Sequence, residues 1–337
     1  MRAVGYRNSL PIDQAESLID LEVDKPVPQG RDLLVQVKAV SVNPVDTKVR
    51  MRAAPKAGEP PKILGYDATG IVAAAGPDAT LFKPGDEVWY AGSIIRSGTN
   101  AEFHLVDERI VGRKPKSLGF AEAAALPLTS ITAWEMLFDR FGVARGGAEG
   151  KALLIVGGAG GVGSICIQLA RTLTKLTIIA TASRPETTAW CKKLGAHHVI
   201  DHSKPMPEQV KAIGHRFVDY IFGVTESGQH FDAIADIIAP QGKFGLIDDP
   251  KGFDVAKLKS KSASLHWEAM FTRSSFQTAD MDAQNKLLNE VAAMVDAGTI
   301  RTTIAENLGT INAANLKRAH AMVESGKMRG KVVLEGF

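Results

Sequence analysis

The most constraining feature of the chain is residues 153–171, LLIVGGAGGVGSICIQLAR, where an apolar run meets five glycines and then a helical repeat. Leu153, Leu154, Ile155 and Val156 read as a buried parallel strand. Gly158, Gly160 and Gly163 fit G-x-G-x-x-G, and Val162, Ile165, Cys166, Leu169 and Leu173 recur along one helical face. The stretch therefore predicts a strand, a tight turn and a helix start. Glycines in such a turn let a pyrophosphate approach the backbone where a Cβ would collide, and seat it on the unpaired N–H groups of the new helix.

Strand and helix patterns alternate from that point on. Strands are expected at 152–156, 177–180, 198–200, 218–222 and 243–247, with helices at 186–194, 207–213 and 229–238 between them. Right-handed crossovers then give a doubly wound parallel sheet with its ligand at the switch point. Before it, residues 1–120 show short strands broken by Pro and Gly: 32–42 alternates with period two, 70–75 follows a turn, and PGDEVWY leaves a turn as a strand. This predicts a largely β domain, a curled antiparallel barrel. Residues 120–140 are rich in Ala and Leu and are interrupted by Pro127, as expected where the chain passes between domains. Beyond the alternation come a possible sixth strand at 264–267, amphipathic helices at 281–297 and 313–325, and a closing strand at 331–334. The tail is expected to return to the first domain, giving a catalytic domain of 1–125 with 275–337 and an inserted nucleotide-binding domain of 126–274.

Composition excludes several classes of partner. Forty basic and thirty-seven acidic side chains leave a net charge of +3 with no basic block, so neither nucleic acid nor a membrane surface is an expected partner. No apolar run approaches the length of a membrane helix, and MRAVGYRNSL lacks a signal-peptide core, so a cytoplasmic protein is expected. Cys166 and Cys191 have no C-x-x-C spacing and read as reduced helix thiols.

Five stretches together carry a family resemblance: Val42-Asn43-Pro44-Val45-Asp46, Leu64-Gly65-Tyr66-Asp67-Ala68-Thr69-Gly70, Lys83-Pro84-Gly85-Asp86-Glu87-Val88, Leu126-Pro127-Leu128-Thr129-Ser130-Ile131-Thr132-Ala133-Trp134, and the glycine turn. The chain resembles the medium-chain dehydrogenase/reductase superfamily over essentially its whole length, and within it the zinc-free quinone oxidoreductase branch, which includes zinc-type alcohol dehydrogenase-like proteins. The resemblance implies an α/β fold, a GroES-like β-barrel catalytic domain plus a Rossmann domain. Zinc alcohol dehydrogenases place a cysteine in a G-x-C-G-x-D stretch, but the matching Ser41 to Asp46 holds no thiol. Their G-H-E motif matches Gly65-Tyr66-Asp67, so a tyrosine stands where the ligand histidine would be, and the four-cysteine structural lobe is missing. Cys166 and Cys191 cannot build a three- or four-ligand site. His197, His198, Asp201 and His202 sit at a strand end, where neighbouring side chains face opposite ways. No zinc is expected.

The identity of the dinucleotide is a question of charge. An acid about twenty residues past the glycines accepts ribose hydroxyls in NAD enzymes and repels a 2′-phosphate. Here Thr181-Ala182-Ser183-Arg184 offers hydroxyls and a guanidinium instead, with Glu186 two residues further on. NADP(H) is the expected cofactor. By resemblance its contacts are Asn43, Thr132, Gly158, Gly160, Gly161, Val162, Gly163, Ser183, Arg184, His202, Gly223, Val224, Gly245, Leu246, Ile247, Gly330 and Lys331, with Thr129 and Ser130 equally explained as helix-capping hydroxyls.

Without a Lewis acid, simple alcohol oxidation loses its driving group, whereas hydride delivered to a quinone or enone leaves a delocalised oxyanion that needs only a positioned donor. Tyr66 and Asn43 are the expected catalytic donors, either Tyr66 or water supplying the proton; Asp46 orients a neighbour or caps a helix. Tyr66, Tyr90, Trp267 and Phe271 are the expected substrate contacts, with Trp89 beside them as an aromatic wall. The expected activity is reduction of a small planar quinone or α,β-unsaturated carbonyl by NADPH. Two alternatives stand beside it: a zinc-type alcohol dehydrogenase using NAD(P), and an NADPH-binding sensor with little turnover. A homodimer is expected through sheet extension at 264–267, as the superfamily often does.

Overall fold

In a computed structural model that describes all 337 residues, Ala152–Val156 is the third strand of a six-stranded parallel sheet. The order across it is His198–Ile200, Thr177–Thr181, Ala152–Val156, Val218–Gly223, Ile238–Leu246, Ser264–Trp267. All five residues of Ala152–Val156 are buried, as an inner strand covered on both faces must be. Gly161–Leu173, Pro185–Lys193, Met206–Ala212 and Ser227–Ile237 are the crossover helices. The chain first fills one side of Ala152–Val156 and then the other, so the order reverses at its carboxyl end, where the glycines begin. Ile238–Leu246 starts five residues before the expected 243. It takes over directly from the helix, and the register slip between Val218 and Tyr220 accommodates a turn with Gln241 at φ +61°.

Contacts divide the chain into two units, Met1–Ile131 with Phe271–Phe337, and Thr132–Met270. The first unit is organised on Asp32–Ser41, ten residues long. Asp67–Ala75 pairs along one of its edges, while Phe103–Asp107 and Lys331–Glu335 share the other. At the end of this strand Ser41 lies opposite Asp67 on one side and Val333 on the other. Two segments distant in sequence are thereby delivered to Asn43. The helix Pro44–Arg52 follows at once, capped by Asn43 and Asp46. Its far end is pinned where buried Arg50 donates to His320 Nδ1 (3.1 Å) and Glu324 Oε1 (2.5 Å).

The run through Pro127 becomes the helix Pro127–Trp134 and then six residues of π-helix, Glu135–Arg140, a widening the apolar pattern does not signal. Within the second unit, Glu135 and Glu268 are both buried, and Arg140 Nε donates to Glu268 Oε2 at 2.8 Å. Burial, and next the neighbouring Glu135, push the Glu268 carboxyl well above its ordinary pKa, with Arg140 opposing. Because the folded state holds this proton more tightly, the group's stabilising effect is full below the ordinary carboxylate pKa and is lost as pH rises towards the shifted value. Glu268→Gln, which keeps the hydrogen bonds without the charge, should therefore gain stability relative to the parent as the pH rises from about 5 to about 8, read as a Tm difference that widens steadily with pH. A constant Tm difference across that range contradicts the assignment. No helix is long and apolar enough to cross a membrane.

Candidate functional site

The turn after Ala152–Val156 is shaped by what a side chain would strike. A Cβ on Gly163 would lie 2.3 Å from the Gly157 carbonyl oxygen and 2.7 Å from Gly158 Cα, and one on Gly158 would lie 2.7 Å from Ala180 Cβ and 3.2 Å from Cys191 Sγ. Gly160 differs: the nearest atom to an added Cβ would be 3.7 Å away, so a side chain there would project into the open cradle at the N-terminus of Gly161–Leu173. Gly157 N and Gly158 N donate to Thr181 Oγ1 (3.0 Å) and Thr181 O (3.1 Å), tying the turn to the next strand. Ser164 Oγ donates to the Ala159 carbonyl at 3.2 Å and accepts from Trp190 Nε1 at 2.8 Å, fixing the helix start against Pro185–Lys193. The helix N-terminus, with Gly160, Gly161, Val162 and Gly163 at its first turn, suits a pyrophosphate.

The rest of this rim follows from strand register. Gly223 lies opposite both Val156 and Leu246, and Val224 N donates to Val156 O, so Gly223, Val224, Gly245, Leu246 and Ile247 gather at the carboxyl ends of adjacent strands. Exposed Ser183 and half-exposed Arg184 follow Thr177–Thr181. No acid occupies 181–184, and Glu186, on the first helical turn, pairs with Arg184 Nε at 3.3 Å. His202 carries a buried Nδ1 without a partner, 6.0 Å by ring centroid from His230. Thr132 is buried in Pro127–Trp134.

In the first unit the residues meet around two buried carboxylates. Asp67 Oδ2 accepts from Ser41 Oγ (2.7 Å) and Asn43 Nδ2 (2.8 Å), and its Oδ1 accepts from Leu128 N (2.7 Å). Asp46 accepts from Asn43 N (2.7 Å) and Gly65 N (3.1 Å). Burial pushes the Asp46 carboxyl up to about 7, against these two hydrogen bonds and Lys331. Gly65 is held at φ +100°, where any Cβ would strike Thr99 and Asn100 within 2.6 Å, and this turn presents Tyr66. Tyr66 is 2% exposed, and its ring meets Phe271 edge to face at 5.1 Å. Burial first, then Asp46 and Tyr6, hold the phenol above its ordinary pKa. It is a neutral donor across any ordinary working range.

One expected substrate contact lies elsewhere, and another stands on the edge strand of the parallel sheet, opposite Leu246. Tyr90 is fully buried in the barrel core, with its hydroxyl bonded to His104 Nδ1 at 3.0 Å. Burial pushes His104 down to about 4, so its Nδ1 accepts from Tyr90 while Nε2 donates to Ser97 O. This consumed hydroxyl removes Tyr90 from any ligand surface. Trp89 is buried too. Trp267 is 55% exposed on the outermost strand of the six-stranded sheet. Lys331 also departs from a surface cation: its side chain is 4% exposed and points into the carboxylate cluster.

The donor set does not suit zinc. By the sequence resemblance, Asn43 and Tyr66 match the cysteine and histidine positions of the zinc enzymes, and an ammonium already occupies the Asn43 amide oxygen at 2.5 Å. No group of three or more His, Cys, Asp or Glu side chains is arranged to hold a metal. His197 accepts from Ile178 N and faces Arg171, His198 faces His215, and His202 faces His230, so the histidine run diverges. Cys166 and Cys191 are buried thiols, and burial pushes Cys191 up to about 12.

Residues 29–133 match the alcohol dehydrogenase GroES-like domain model, and residues 194–334 match the zinc-binding dehydrogenase model. A zinc-type alcohol dehydrogenase-like protein of Staphylococcus aureus (strain MSSA476) is 40% identical over 337 residues, 99% of each chain. The chain belongs to the medium-chain dehydrogenase/reductase superfamily. It is an oxidoreductase, with the GroES-like and Rossmann-type domains that define the superfamily fold. Human mitochondrial NAD(P)H oxidoreductase RTN4IP1 is 31% identical, across 90% of this chain and 81% of its own. The crystal structure of a candidate zinc-dependent alcohol dehydrogenase from Rhizobium etli CFN 42 superposes with a TM-score of 0.96 at 62% identity, covering 100% of this chain and 98% of that one. Escherichia coli quinone oxidoreductase complexed with NADPH shares the fold, with a TM-score of 0.85 at 23% identity over 99% of this chain and all of its own. The zinc in some of these names is at odds with the asparagine, tyrosine and lysine found here.

Proposed function

We propose that this superfamily member is an NADPH-dependent reductase of quinones or α,β-unsaturated carbonyls that works without catalytic zinc. The observation that carries the reading is the buried Asn43–Asp67–Lys331 cluster beside Tyr66, a set of hydrogen-bond donors where a metal's ligands would be. The name of the human relative, an NAD(P)H oxidoreductase, supports the reductive direction.

NADPH, when bound, supplies a hydride. The chain's part is to hold the cofactor and to meet the negative charge that the acceptor oxygen develops. The N–H groups at the start of Gly161–Leu173 seat the pyrophosphate, and the open side of Gly160 leaves room for it. Arg184, with no acid at 181–184, receives the 2′-phosphate. Tyr66 O–H and the second amide hydrogen of Asn43 donate to the acceptor oxygen, and Phe271 supplies an apolar edge for a planar ring. A simple alcohol gains little here, because nothing in the set lowers its pKa.

Arg184→Ala should raise KM for NADPH by about 10- to 100-fold while leaving NADH kinetics within about twofold, since a charge-assisted bond to phosphate is worth roughly 1.5–3 kcal/mol. Equal losses with both cofactors contradict the assignment. The reaction class is tested by following NADPH oxidation with a panel of quinones and enones and, separately, NAD reduction with simple alcohols. The first is expected and the second is not. Intact NADPH binding without turnover on the whole panel would transfer the protein to the binding class.

A further inference from the structure

We propose that Lys331 is a positioning residue which, with Asp67, fixes the Asn43 amide in one orientation and strengthens its remaining N–H as a donor to the acceptor oxygen. This rests on the reading of Asn43 as an oxygen-binding group. It replaces the direct cofactor contact that the family resemblance implies for Lys331.

The ammonium has three hydrogens and meets three acceptors: Val42 O at 2.9 Å, Asn43 Oδ1 at 2.5 Å and Asp67 Oδ2 at 3.3 Å. With its side chain 4% exposed, it has no hydrogen left for a phosphate. The lysine reaches this place because Lys331–Glu335 pairs beside Asp32–Ser41, with Val333 opposite Ser41, and because Val42 N donates to Val332 O.

The chemistry of these neighbours determines which way Asn43 faces. An ammonium only donates, so it must meet Oδ1; a carboxylate only accepts, so it must meet Nδ2, as it does at 2.8 Å. A flipped amide would set donor against donor and acceptor against acceptor at both ends. One of the two Nδ2 hydrogens is committed to Asp67, which leaves a single N–H of fixed direction. Asp67 is itself immobilised by Ser41 Oγ and Leu128 N. A positive charge on Oδ1 draws electron density through the conjugated amide and makes the free N–H a stronger donor, an effect that grows as the acceptor oxygen becomes negative. Removing the lysine should therefore lower kcat far more than it weakens cofactor binding.

Lys331→Met and Lys331→Arg are compared with Asn43→Ala and with the Lys331→Met/Asn43→Ala double variant in the full chain, reading NADPH Kd by fluorescence and quinone-dependent kcat and KM. Lys331→Met should bind NADPH within about twofold of the parent while kcat falls about 30-fold or more, Lys331→Arg should recover part of the loss, and the double variant should be no slower than Asn43→Ala alone. An NADPH Kd raised about tenfold with kcat retained would make Lys331 a cofactor ligand and overturn the proposal. So would losses that multiply in the double variant. If Lys331→Met shows no cooperative melting, Lys331→Met/Asp67→Asn, which removes both charges, takes its place against Asn43→Ala under the same criteria. A parent enzyme inactive with every quinone and enone overturns the functional reading and this inference together; an active parent with a multiplicative cycle overturns this inference alone.

Discussion

Gly163→Val should bind NADPH at least about 100-fold more weakly than the parent, a loss of about 2.7 kcal/mol or more. Its Cβ would lie 2.3 Å from Gly157 O and 2.7 Å from the Gly158 backbone, distances that can be relieved only by moving the turn itself. Moving the turn moves the amides proposed to seat the pyrophosphate. It also disturbs the bonds from Gly157 and Gly158 to Thr181, so a fall in Tm of several degrees is expected as well, at about 2–4 °C per kcal/mol. Gly160→Ala separates the two effects. Gly160 has φ −69° and open space around its Cβ position, so alanine there should leave Tm nearly unchanged while filling the cradle and weakening NADPH about tenfold or more. Calorimetric titration and thermal melts of both variants check the pair. A Gly160→Ala protein that binds as tightly as the parent would move the pyrophosphate away from this helix start.

The second large effect is expected at Tyr66. Tyr66→Phe keeps the ring against Phe271 and removes only the hydroxyl. If that hydroxyl holds the developing oxyanion, kcat should drop about 100-fold, the range seen when one oxyanion donor is lost, with NADPH Kd unchanged. Because burial, Asp46 and Tyr6 all raise the phenol's pKa, the parent should show no loss of kcat from tyrosine ionisation below about pH 10. Unchanged kcat in Tyr66→Phe would leave oxygen binding to Asn43, and the proton to water.

How much of this was readable before the fold was known depends on the range of the interactions. The parallel-sheet half was legible because its signals are local: a β-branched strand, a glycine turn and a 3.6-residue repeat lie within twenty residues, and the parallel order follows from alternation. The start of Ile238–Leu246 was not, since Pro240, Gln241 and Gly242 read as a loop, although Gln241 at φ +61° only bends the strand. Tyr90 shows where alternation fails. Four consecutive residues of Glu87–Ala91 are buried, so no outward face exists for its ring to occupy. The motif Asn43 to Asp46 was legible as a loop with chemistry, and its capping box is local. The partner that orders it was not. Lys331 lies 288 residues from Asn43, and only the pairing of Lys331–Glu335 with Asp32–Ser41 brings them together. The Arg184–Glu186 ion pair needed no long-range contact, yet whether an acid two residues on reaches a ribose or an arginine depends on a helix start that the sequence places only approximately.

The most direct test of a metal-independent reductase is one kinetic measurement. Protein stripped by a chelator, with its zinc content determined, is mixed with NADPH and a quinone, and the rate is compared with and without added zinc. The donor set of Asn43, Tyr66 and Lys331 predicts full quinone-dependent NADPH oxidation in stripped protein and no gain from the metal. Activity lost on stripping and restored by about one zinc per chain would contradict the account.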